Sequence, residues 1–156
     1  MLDTFFILAA QYLFLLPALL LGAYFLLQSR PVQKKILIFA IPFLVLTYLL
    51  ALLAGHLYYG PRPFVVGNFR PLILHAPDNG FPSDHALLVF TLAIIGTYLN
   101  RKLGTVLWVL GLIVAIARVY VGVHHPLDVA ASAVISIFAA SIVYSCITYV
   151  WHAEIN

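Results

Sequence analysis

Ala117-Arg118-Val119-Tyr120-Val121-Gly122-Val123-His124-His125-Pro126-Leu127-Asp128 is a polar island between two long apolar runs. Before it, Leu103 to Val121 is oily enough to cross a bilayer and is interrupted only near its end, by Arg118. After it, Pro126 opens a second apolar run to about Trp151, since proline suits the first helical position, where its missing N–H has no partner to lose. A cation within such a run costs at least ~2.5 kcal/mol near the bilayer centre, so it usually faces the bundle interior or a wet cavity and marks a functional site. The alternative is a snorkelling anchor.

His124 and Asp128 are four residues apart, a spacing that stacks side chains on one helix face. Because Pro126 starts the helix between them, the pair either shares that face or bridges the loop and the first turn. In both geometries the carboxylate can accept a hydrogen bond from one imidazole nitrogen, fixing the tautomer and making the other nitrogen a better nucleophile. His125 points elsewhere and reads as a pocket wall or a headgroup contact.

Outward from this island the chain stays apolar. Hydrophobic residues make up 64% and charged residues 8%, far from a water-soluble balance, so an integral membrane protein is expected. At 156 residues there is room for one domain, an all-α bundle of about five transmembrane helices. The expected spans are Phe5 to Leu27, Ile36 to Leu57, a third starting just before Ala86 and ending at Leu99, Leu103 to Val121, and Pro126 to Trp151. The first lacks a cleavable signal's basic start and reads as a retained helix. Arg30 to Lys35 and Asn100-Arg101-Lys102 read as connectors. A net charge of +3 without a basic aromatic stripe argues against nucleic acid. Cys146 is alone and reads as a small buried hydrophobe.

Two more polar islands fall between the second and third spans. Gly60-Pro61-Arg62-Pro63 holds a guanidinium in stiffened backbone, and its planar fork matches two phosphoryl oxygens. Phe81-Pro82-Ser83-Asp84-His85 should begin a helix, with Ser83 or Asp84 as N-cap, orphan N–H groups that attract phosphate, and His85 in the first turn as a general acid. Arg70 is a second phosphate contact or an interfacial headgroup arginine. His75 and His152 carry no motif, and Trp151 suits an interfacial belt. Basic residues concentrate in the first and third connectors, which places those in the cytoplasm and the polar islands outside a cytoplasmic membrane.

The three islands together resemble the type 2 phosphatidic acid phosphatase (PAP2) superfamily, whose signature runs Lys-x6-Arg-Pro, Pro-Ser-Gly-His and Ser-Arg-x5-His-x3-Asp. The Pro-Arg-Pro-Phe, Pro-Ser-Asp-His and Tyr-Val-Gly-Val-His wording is similar to the bacterial undecaprenyl-diphosphate phosphatases of the bacitracin-resistance kind. The resemblance implies His124 as the nucleophile forming a phosphohistidine, Asp128 orienting it, and His85 protonating the leaving group. Arg62, Ser83 and Arg118 would hold the phosphoryl oxygens. It implies an isoprenoid lipid diphosphate as substrate, with no metal or other cofactor. A broader lipid phosphatase acting on phosphatidylglycerophosphate, phosphatidic acid or lipid A diphosphate is the alternative.

Three positions depart from the signature. Gly55 stands where lysine is expected, leaving His56 or Arg70 to supply the missing charge; Ala117 replaces serine; and Asp84 replaces glycine. The family commonly has six spans, so five here leave the first without a counterpart. His85, His124, His125 and Asp128 also form an alternative reading as zinc ligands. A haem-carrying bundle is the reading outside enzymology, although haem ligation wants histidines facing one another deep in the core.

Overall fold

The computed structural model describes the backbone of residues 1–153 and the side chains of residues 1–149. Trp151, given an interfacial reading above, and His152 carry side chains outside that range. Among the described residues there are seven helices and no named strand.

The first apolar run is not one straight span. It forms α1 (Leu2–Tyr12) and α2 (Leu15–Leu26), which meet at a 47° bend. Pro17 supplies the physical cause. It has no N–H to offer the Leu13 carbonyl, and its ring crowds that same group. The Leu13 oxygen instead accepts from the Leu16 N–H at 3.0 Å, and the chain turns there.

Helix α3 (Arg30–Leu57) starts where the first connector was expected. Ser29 occupies its N-cap position and Pro31 lies in the first turn, where proline is tolerated, so the stop of one helix is also the start of the next. Arg30, Lys34 and Lys35 therefore belong to helix rather than to loop. Pro42 lies inside α3 without ending it. A short α4 (Pro63–Val66) interrupts the following loop.

Helix α5 (Asp84–Leu99) is 16 residues long, about 24 Å at 1.5 Å per residue, and so shorter than a ~30 Å hydrocarbon core. It is buried on most sides, as an evenly apolar helix should be. Helices α6 (Arg101–Tyr120) and α7 (Pro126–Ala153) pack against it, and α7 also packs on α3. Asn100 caps α6 by accepting from the Lys102 and Leu103 N–H groups at 2.9 and 3.2 Å. Gly104 lets α5 and α6 nearly touch, because a Cβ there would lie 2.5 Å from the Thr97 Cα.

Helices α3, α6 and α7 are long and apolar enough to cross a membrane, and the bent α1/α2 pair makes a fourth crossing if it counts as one span. The five spans expected from the sequence thus resolve into three of full length, one broken and one short. A polar seam joins α5 to α7. Ser136 and Thr91 hydroxyls lie 3.2 Å apart, and the Ser132 hydroxyl donates to the Ser83 carbonyl at 2.9 Å.

Candidate active site

The end of α3, the start of α5, the end of α6 and the start of α7 lie at one end of the bundle, opposite Arg30, Lys34, Lys35, Arg101 and Lys102. There the chain gathers Arg62, Ser83, Arg118, His124 and Asp128, each no more than 5% exposed.

His124 sits in the turn between α6 and α7. Gly122 has φ +81°, a left-handed conformation that a side chain makes costly, and it swings the chain back beneath α6. The His124 Nδ1 lies 2.9 Å from the Gly80 carbonyl oxygen and 3.5 Å from Asp128 Oδ2. Both neighbours are acceptors, so Nδ1 carries the proton and Nε2 keeps its lone pair. That Nε2 faces Arg62 Nη1 at 3.5 Å and Arg118 Nη2 at 3.3 Å. Burial holds the imidazole below the ordinary histidine range; Asp128 opposes this, while the Arg118 and Arg62 charges add to it.

From the sequence, Asp128 was expected to accept from one imidazole nitrogen, and it lies nearest Nδ1. The structure gives the shorter contact to the Gly80 carbonyl, because Asp128 Oδ2 is already taken by the His125 N–H at 2.7 Å across the first turn of α7. Asp128 thus anchors the turn and stands behind the imidazole.

Arg62 is held on four sides. Its Nε donates to Asp78 Oδ1 at 2.7 Å, Nη1 to the Val123 carbonyl at 2.9 Å and Nη2 to the Asn79 carbonyl at 3.4 Å, with His124 as the fourth neighbour. Burial alone would raise the Asp78 carboxyl, but the bond and charge of Arg62 outweigh it and hold the group below the usual carboxylate range. Arg118 donates from Nη1 to the Ala10 carbonyl at 3.3 Å, and its Nε has no partner. The α1/α2 bend helps here, since Ala10 lies in the last turn of α1, where carbonyls lack helical partners.

Ser83 takes the N-cap position of α5, but its hydroxyl makes no cap bond and, fully buried, has no partner at all. The expected N-cap position is thus met by Ser83 without a side-chain bond, and its backbone is tied separately, its N–H donating to the Asp128 carbonyl at 3.3 Å and its carbonyl accepting from Ser132. Unpaired donors on Ser83 and Arg118 beside two guanidiniums suit an anion with several acceptor oxygens.

His85, in the first turn of α5, sets its ring edge-on to Phe14 at 4.8 Å, and Arg118, His124 and His75 all lie within electrostatic reach. His125 turns away, its Nε2 3.2 Å from the Pro61 carbonyl. Asp84 is exposed and opens onto a cleft lined by Leu44, Thr47 and Tyr48. His56 and Arg70 are exposed and hydrogen-bond to nothing in the cluster. At position 55 a Cβ would lie 3.0 Å from the Phe81 carbonyl oxygen, so a lysine there would require that carbonyl to shift. Among the described residues no group of three histidine, cysteine or acidic side chains converges as metal ligands.

Sequence reasoning missed His75, Asp78 and Asn79. The Asn79 amide makes four bonds: Oδ1 accepts from the Gly60 and Phe81 N–H groups at 2.9 and 3.0 Å, and Nδ2 donates to the Gly55 and Tyr58 carbonyls at 2.8 and 3.2 Å. The signal available was Asp78-Asn79-Gly80, a turn-forming triplet whose partners lie some twenty residues upstream.

The model of the PAP2 superfamily matches residues 34–152. The chain is 37% identical over 139 residues to undecaprenyl-diphosphatase BcrC of Bacillus subtilis strain 168, covering 87% of this chain and 70% of the relative. It is 35% identical over 136 residues to the bacitracin transport permease protein BcrC of Bacillus licheniformis, covering 86% and 66%. The chain therefore spans about two thirds of the length of these relatives. The crystal structure of Aquifex aeolicus LpxE superposes with a TM-score of 0.69 at 25% identity, over 92% of this chain and 86% of that one. With a family match across three quarters of the chain and a shared helical architecture, this integral membrane protein belongs to the PAP2 superfamily.

Proposed function

We propose that the protein is a membrane phosphatase that hydrolyses an isoprenoid lipid diphosphate, undecaprenyl diphosphate by analogy with its relatives, to the lipid monophosphate and inorganic phosphate. One observation carries the reading: His124 presents a bare Nε2 to two buried guanidiniums while Nδ1 is committed to acceptors. A nucleophile is thereby aimed at the place where phosphoryl oxygens would be held.

In the first step His124 Nε2 bonds to the terminal phosphorus and the bond from that phosphorus to the bridging oxygen breaks. The bridging oxygen leaves on the lipid monophosphate with a proton from His85. Arg62, Arg118 and the Ser83 hydroxyl hold the three peripheral oxygens, where charge is spread in the transition state. Asp128 stabilises the charge that grows on the imidazole. Water then attacks the phosphohistidine, His85 takes its proton, and inorganic phosphate leaves. The lipid tail would follow an apolar groove of about 550 Å³ between α6 and α7, lined by Leu112, Ile116, Val119, Pro126 and Val129. With Arg30, Lys34, Lys35, Arg101 and Lys102 at the opposite end, the site lies on the extracytoplasmic face of the cytoplasmic membrane.

The test is phosphate release from undecaprenyl diphosphate by purified His124→Ala and His124→Asn protein, each expected to fall by at least ~10³-fold. Near-full turnover in both would remove the nucleophile assignment. Vanadate should inhibit, and a trapped phosphate label should be acid-labile, as a phosphoramidate is. An acid-stable label would point to an ester at Ser83.

A further inference from the structure

The loop between α4 and α5 brings a third histidine to the site. His75 places its ring centroid 6.3 Å from that of His124, with the planes at 74°. The segment carrying it is pinned: the Leu72 N–H donates to the Val121 carbonyl at 3.0 Å, in the turn that leads to His124. Ile73 is buried against Ala9, Ala10, Ala117 and Val123, Leu74 points outward, and His75 turns inward again, the alternation of an extended strand of chain.

Asp78 ties this histidine to the phosphate-binding pair. Its Oδ1, which accepts from Arg62 Nε at 2.7 Å, lies 4.0 Å from His75 Nδ1. The same Nδ1 lies 3.3 Å from the Ala76 carbonyl, so it bears the ring proton and Nε2 is the unengaged end. The charged and titratable groups facing His75 are Arg62 and Asp78 from its own end of the loop region, Arg118 from α6, His124 from the following turn and His85 from α5.

We propose that His75 is a specificity-determining residue that holds the second phosphate of a diphosphate, the one retained on the lipid, and so makes the site prefer diphosphates to monophosphates. This rests on the lipid-diphosphate reading above. A diphosphate brings more negative charge than a monophosphate, and Arg62 and Arg118 are the only buried cations that meet it among the described residues. His75 is the next group able to become cationic. Burial, and then the Arg62 charge, keep it below the ordinary histidine range in the free protein. An anion that offsets the two guanidiniums lifts that restraint, so His75 takes up a proton as the diphosphate binds and then donates from Nε2 to a non-bridging oxygen.

The experiment uses the full chain in detergent with farnesyl diphosphate and farnesyl monophosphate as paired probes. His75→Gln removes the titration, and His75→Arg supplies a fixed charge. With His75→Gln, kcat/KM for the diphosphate should fall about tenfold, mainly through KM, the size of one charge-assisted hydrogen bond, while the monophosphate changes less than about twofold. His75→Arg should restore most of the diphosphate preference and abolish the rise of KM expected of the wild type as pH climbs from the depressed range of free His75 toward its value in the complex. Equal losses on both probes, or no loss on either, overturn the role of His75 while leaving the phosphatase reading intact. A wild-type protein that hydrolyses only the monophosphate sinks the diphosphate reading and this assignment together.

Discussion

Asn79→Asp is the most informative change because it swaps one atom type in a four-bond staple. The two bonds accepted by Oδ1, from the Gly60 and Phe81 N–H groups, survive. The two donated by Nδ2 do not, and a carboxylate oxygen then faces the Gly55 and Tyr58 carbonyls at the former distances of 2.8 and 3.2 Å. Each lost bond is worth about 1 kcal/mol net, and acceptor facing acceptor adds to the loss, although water reaches this half-buried site and relieves part of it. We expect about 2 kcal/mol of local destabilisation. The loop released is the one that carries Arg62 and Gly80, so kcat/KM for phosphate release should drop about thirty-fold. The bundle itself does not depend on these bonds, so the melting temperature in detergent should move little. Activity within twofold of wild type would show that the staple does not hold the site. A protein that loses activity only because it melts early would refute the local account equally.

Three further outcomes follow from the geometry. Gly55→Lys, which rebuilds the family signature, should lower activity rather than raise it, because its Cβ must displace the Phe81 carbonyl from 3.0 Å; a gain in kcat/KM would show that the loop yields easily. With His124 as the proposed nucleophile the reaction would need it neutral, and its folded value is depressed chiefly by burial, so kcat/KM should hold as pH falls to the ordinary histidine value of about 6.5 and fail only below it. Because Asp128 opposes that depression, Asp128→Asn should shift this acid limb lower still while reducing the rate; a limb moving upward would contradict the assignment. Gly122→Ala should cost at least ~1 kcal/mol and lower activity, since φ +81° disfavours a side chain and the new Cβ meets the Phe69 ring at 2.7 Å, as a melting curve paired with phosphate release would reveal.

Much of the site was legible because its parts are locally encoded. Arg118, His124 and Asp128 sit at the end of one helix, in the next turn and at the start of the following helix, so their spacing survives folding unchanged. What stayed hidden is held by long-range backbone contacts. Nothing in His75 or Asn79 as residues marks them; their meaning comes from carbonyls and guanidiniums distant in the chain, brought near by a loop whose only local clue is a turn triplet. The bend at Pro17 was legible in principle, since proline three positions into a helix cannot serve the carbonyl four residues back. An unbroken run of apolar residues hid it, because hydropathy sees length and not hydrogen bonding. The connector at Arg30 to Lys35 went astray for the opposite reason: charge suggested a loop where the backbone was already helical.

The Ala10 carbonyl that receives Arg118 lies in α1, well before residue 34, where the match to the superfamily begins. A shortened protein cut to the recognised segment would keep every signature side chain and still lose the acceptor, together with Phe14 beside His85. The bent amino-terminal pair contributes no reactive group of its own, yet it serves as the back wall against which two of them are braced.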